Sequence, residues 1–283
     1  MYAPTIIDLE FTNSDIEFLV DIVLPLYEDR DLIRSAIRED QNLRDSIVSD
    51  NRVFRHIQQD DGILLKISPR LYFEVLLRKA HQTMSSNIYT FEVLGKESIP
   101  VFDSSSVFEY LKTPKILEYL AHMLSSFTKI QSFVIPVRTG RGIRRRIRFN
   151  DMDLDSLIKF AATVDEGERF HYYKRIGDVC LFLNGFFQNH THSGLKIPGV
   201  VDGSKRMKRS YEDYETEGRR FYSLAEKHDT AARMELQTIF SSLKNNFTTA
   251  KKPLQFISLY YLNSKKFDLF GYQGLWLIAW LTL

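Results

Sequence analysis

The chain has 283 residues, a formal net charge of +2, 44% apolar residues and one cysteine, Cys180. That length suits one large domain or two ordinary ones, and the apolar content supports a sizeable core and argues against disorder. A single cysteine excludes an intrachain disulfide framework and argues against a cysteine-based zinc site, and with charges so nearly balanced only local clusters speak about partners.

The first ten residues have neither a basic nor an apolar stretch, so no secretory signal is expected. Residues 13–60 read as several short helices. Asn13 or Ser14 can cap the first, which carries Ile16, Leu19, Val20 and Val23 and stops at Pro25. Asp31, Asp40 or Asn42, and Asp50 then precede the pairs Ile33/Ile37, Leu43/Ile47 and Val53/Ile57, each spaced by four as on a helix face. Residues 62–67 are a short strand candidate. Ser68-Pro69 opens a helix with Leu71, Val75 and Leu76 inward and Arg70, Glu74, Arg78 and Lys79 on the wet side. Residues 88–94 and 99–102 are expected as a weak strand pair turning at Gly95.

Residues 104–128 return to helix, first to Leu111 and then from Pro114. The second has Ile116, Leu117, Leu120, Met123, Leu124 and Phe127 inward and His122 expected at the surface. The segment after it reads strand, glycine turn, strand. Between Gln131 and Asn150 it holds six arginines and no acid. Alternation puts Ile143, Arg145, Ile147 and Phe149 on one face and Arg144, Arg146 and Arg148 on the other; Pro136 marks the first strand as an edge.

Asp151 or Asp153 is expected to cap a helix over 151–164. Residues 170–187 form the longest apolar-aromatic run with helical spacing. Phe170, Tyr173, Ile176, Cys180, Leu183 and Phe187 share a stripe that Val179, Phe182 and Phe186 widen, so this is the expected central core helix. Its Gly177 is expected at a close helix contact and Gly185 at a C-terminal cap. Asp178, within reach of Lys174 and Arg175, is expected in a local ion pair. Residues 188–209 read as a long loop ending in a basic cluster, and helices are expected at about 210–227, 229–246 and 252–262, the last starting at Pro253. The apolar end, 274–283, is too short to span a bilayer, which needs about twenty residues.

No phosphate loop, His-Glu-x-x-His or Gly-x-Ser-x-Gly occurs. His190 and His192 lack a third ligand, and Asp151, Asp153 and Asp155 lack the glycine and glutamate of a calcium loop. No catalytic residue, metal or cofactor is therefore expected, with an enzyme site assembled around Asp178 as the alternative. The arginine hairpin carries the functional expectation. A planar guanidinium fork suits phosphate, so Arg138, Arg141, Arg144, Arg146 and Arg148 are the candidate nucleic-acid-binding residues, with an acidic protein as the other partner class. A helix followed by a basic hairpin also has the order of a winged-helix unit.

Residues 67–78 (Ile-Ser-Pro-Arg-Leu-Tyr-Phe-Glu-Val-Leu-Leu-Arg), 100–103 (Pro-Val-Phe-Asp) and 173–186 (Tyr-Lys-Arg-Ile-Gly-Asp-Val-Cys-Leu-Phe-Leu-Asn-Gly-Phe) resemble a set of uncharacterised bacterial proteins. The resemblance implies a bacterial, cytoplasmic protein and transfers no site. The expected fold is mainly α with two small β-hairpins and a winged-helix-like unit near the middle. The regions are 1–102 (helical with a short hairpin), 103–150 (helices plus the arginine hairpin) and 151–283 (helical with the loop 188–209). The expected role is non-enzymatic binding or regulation.

Overall fold

The computed structural model describes residues 11–86, 89–94, 97–128, 132–139, 143–186 and 209–262, with 91–94, 97–98, 132–139 and 143–150 described as backbone. His190, His192, residues 205–208, Arg141 and the apolar stretch 274–283 lie outside them. The protein is mainly helical, and no described helix is long and apolar enough to cross a membrane. It divides into two compact units. One gathers Met1–Phe91, Pro100–Ser126 and Phe256–Ser264; the other gathers Glu92–Ile99, Phe127–Gln255 and Lys265–Leu283. Each unit thus draws on more than one of the sequence regions, because contacts between distant segments leave no mark on composition.

The first unit opens with α1 (Asn13–Val23), α2 (Arg30–Glu39), α3 (Gln41–Val48) and α4 (Asn51–Gln59). Their caps are Thr12, Asp29, Asp40 and Asp50, whose side-chain oxygens accept first-turn N–H groups. Two of these precede the expected caps, since a cap must sit outside the first helical turn. Asp15 completes a capping box with Thr12 and also accepts the Ser68 N–H at 2.7 Å, tying the start of α1 to the next long helix. The expected strand at 62–67 is instead a 3₁₀ turn over Ile63–Leu65. Asp60 accepts the Gly62 N–H at 2.8 Å and the Lys66 ammonium at 2.7 Å, which curls the segment and buries Ile63 and Ile67.

Helix α5 (Pro69–Met84) is capped by Ser68 and has Pro69 in its first turn. It packs on α3, α4 and the later helices α6 (Ser104–Leu111) and α7 (Ile116–Ser126), and so is the core helix of this unit. Strands β1 (Thr90–Leu94) and β2 (Glu97–Val101) form a two-stranded sheet between α5 and α6 in sequence. His122, expected at the surface, is buried in α7.

The second unit contains the antiparallel pair β3 (Ser132–Thr139) and β4 (Ile143–Asn150). Helices α8 (Leu154–Thr163), α9 (Glu166–Phe186), α10 (Tyr211–Lys227), α11 (Asp229–Arg233), α12 (Gln237–Asn245) and α13 (Phe247–Tyr260) follow, with α13 belonging to this unit as far as Gln255. Helix α9 packs on α8, α10 and α11, and its stretch from Arg175 to Phe186 is buried throughout. Two helices stand where one was expected over 229–246; Glu235, at φ 55°, breaks the run. Helix α13 starts at Phe247, and Pro253 lies inside it. The backbone bond lost there is outweighed by complete burial of Phe247, Ala250, Leu254 and Ile257.

Gly185 is not a cap but lies within α9, where a Cβ would come 2.8 Å from Leu254 Cβ. At Gly177 a Cβ would come 2.7 Å from the Tyr222 ring. Gly177→Ala is therefore expected to destabilise by about 1–3 kcal/mol through overpacking, despite a helix-propensity gain of about 1 kcal/mol. Urea unfolding checks this; a stability increase would show that α9 and α10 are not in contact at this point.

Candidate functional site

The register of β3 and β4 assigns the ribbon two unlike faces. Phe133 pairs with Phe149, Ile135 with Ile147, Val137 with Arg145 and Thr139 with Ile143. The intervening pairs are Ser132 with Asn150, Val134 with Arg148, Pro136 with Arg146 and Arg138 with Arg144. Directly paired residues share a face, so the first set makes an apolar face interrupted by Arg145 and the second a face carrying Arg138, Arg144, Arg146 and Arg148. Four of the five expected binding arginines thus lie on one face, and Arg141 falls in the turn outside the described residues. Arg138 stands directly opposite Arg144 in the register, and like charges placed opposite each other are destabilising.

Among the described elements, β3 and β4 pack extensively only on each other. What holds them is at their base. Arg175, buried on α9, donates from Nη2 to the Asp151 carboxylate at 2.6 Å and from Nε to the Asp151 carbonyl at 3.2 Å. Its guanidinium lies 4.0 Å from the centroid of the Phe127 ring, which in turn stacks on Phe182 at 4.2 Å. Asp151 directly follows β4 and Phe127 lies five residues before β3, so one arginine touches the chain on both sides of the ribbon. Of the two bases expected beside Asp178, Lys174 takes that place and Arg175 turns to Asp151 instead; of the two expected caps, Asp153 takes the position and Asp151 does not. At the N-cap position of α8, Asp153 accepts a bond from the Ser156 hydroxyl at 2.7 Å.

Asp178 is fully buried and accepts from Lys174 Nζ at 2.7 Å and from the Tyr222 hydroxyl at 2.9 Å. Its own helix holds it through Lys174, and α10 holds it through Tyr222. Cys180 is fully buried, and that burial pushes its thiol pKa well up, away from a reactive thiolate. Arg209, the last residue of the basic cluster 205–209, is paired with Asp155.

The first unit holds a charged cluster that the sequence reading placed in water. Arg70, Glu74 and Arg78 are buried on α5. Glu74 accepts from Arg70 Nη2 at 2.8 Å and from Arg78 Nη2 at 2.8 Å. Arg78 Nη2 also reaches Asp45 of α3 at 2.6 Å and Glu118 of α7 at 3.3 Å. The three acids each bring one oxygen within 4.8 Å of the others, a spacing compatible with a metal ion. Arg78, donating to all three, already fills the position of the cation. Three carboxylates against two guanidiniums leave one surplus negative charge. Burial pushes the Glu118 carboxyl above its ordinary range; Glu74 and Asp45 add to that, against its backbone hydrogen bond and Arg78. The arrangement is a three-helix lock. The signal for it was the Arg70, Glu74, Arg78 spacing of four, with opposite charges in alternation.

No family model, curated protein or solved structure matches the chain.

Proposed function

We propose that the protein is a binding or regulatory protein that contacts the phosphate backbone of nucleic acid through the arginine face of β3–β4. The observation that carries this reading is the direct pairing of Arg138 with Arg144, followed on the same face by Arg146 and Arg148. A solvated edge needs only scattered charge of mixed sign. Like charges placed opposite each other destabilise a ribbon on its own, and a polyanion bound across them relieves that cost. Alternate strand positions are about 6.6 Å apart, similar to the separation of successive phosphates along a strand. The order of α7 followed by a basic ribbon is also that of a winged-helix unit. That is an analogy of order alone and adds little.

The test is a salt titration of the full chain against duplex DNA, single-stranded DNA and RNA. Binding is expected at low salt. The slope of log affinity against log salt should reach about −3, since four phosphate contacts at about 0.7–0.9 each give that value. No binding to any of the three at low salt would sink the proposal, and an acidic protein partner for the same face would take its place.

A further inference from the structure

We infer that Arg175 is a positioning residue for the arginine ribbon, tying both stems of the hairpin to α9 so that the ribbon meets its polyanion as a pre-set surface. The inference rests on the nucleic-acid reading for its binding readout and on the geometry of the second unit for the rest. Ser132 and Asn150 form the closing pair of the ribbon. Beyond them the chain reaches Phe127 on one side and Asp151 on the other, and Arg175 meets both. One plane of its guanidinium faces the Phe127 ring, and its N–H edge holds the Asp151 carboxylate and carbonyl. A lysine has no planar fork, so it cannot lie flat on the ring while donating from two nitrogens to Asp151. Among the described elements neither strand shares an extensive contact with anything but the other, so the stems are the described points at which the ribbon joins the unit. A surface fixed in this way avoids the ordering cost of a loose arm on binding.

The experiment compares the full chain with Arg175→Lys, which keeps the charge, and with Phe127→Leu, which keeps the ion pair but removes the ring. Three readouts are taken: thermal melting, tryptic cleavage of the free protein after the ribbon arginines relative to cleavage within the helices, and the salt titration on duplex DNA. Both variants should melt cooperatively, with relative ribbon cleavage raised about tenfold as the stems open locally. Duplex affinity should fall about tenfold, and the salt slope should lose about one as fewer arginines reach phosphates together. A merely structural arginine would lower the melting temperature and leave relative cleavage and slope unchanged, and that result in both variants overturns the inference. If Arg175→Lys does not fold, Phe127→Leu decides by the same readouts. If the wild-type chain binds no nucleic acid, the proposed function falls, and the cleavage ratio alone still decides the role of Arg175.

Discussion

Glu74→Ala is expected to lower the stability of its unit by about 3–5 kcal/mol, the cost of leaving buried charges without their partner. Glu74 is only 1% exposed, and both its oxygens are engaged by guanidiniums. Its removal strips Arg70 of the carboxylate that holds it. Among the described residues the Nε and Nη1 of Arg70 have no hydrogen-bond partner and, Glu74 aside, its guanidinium has only the Phe11 ring, 5.8 Å from the centroid, so the charge would be left buried without a carboxylate. Arg78 would keep Asp45 and Glu118, so the loss is centred on Arg70. Domains are stable by about 5–15 kcal/mol, so this one change brings the unit close to unfolding at room temperature. Urea denaturation followed by helical signal measures it. Glu74→Gln, which keeps an acceptor oxygen, should cost less. A loss below about 1 kcal/mol for Glu74→Ala is the value of an exposed pair and would contradict the burial of the cluster.

The contrast between α5 and α9 explains what the sequence made legible. In α9 the buried positions are mostly apolar, so Phe170, Ile176, Cys180 and Leu183 announced a core helix through spacing alone. In α5 the same degree of burial includes Arg70, Glu74 and Arg78. Charge normally marks the wet side, and only tertiary neighbours, Asp45 on α3 and Glu118 on α7, make burial affordable there. His122 is buried too, where its polar type alone pointed to the surface. Turn chemistry also overrode pattern: residues 62–67 alternate weakly like a strand, but the Asp60 carboxylate curls them. The ribbon arginines were legible because alternation is a property of a single strand. The pairing of Arg138 with Arg144 was not, since register depends on where the turn falls. Arg175 was ambiguous between a local acid three residues away and Asp151, twenty-four residues earlier, and no local rule reports the second.

The most direct measurement of the nucleic-acid reading is the change in salt slope when Arg144, Arg146 and Arg148 are replaced together by alanine. Each phosphate contact contributes about 0.7–0.9 to the slope, so the triple variant should bind more weakly and lose about two to three from it. Its unfolding stability should stay within about 0.5 kcal/mol of wild type, or rise by up to about 1 kcal/mol as the Arg138–Arg144 opposition disappears. The apolar positions Phe133, Ile135, Ile147 and Phe149 are untouched, so the ribbon keeps its other face. A slope reduced by two to three at unchanged stability is the result the proposed function predicts. Equal slopes for wild type and triple variant would place the charge that meets nucleic acid elsewhere on the protein and contradict it.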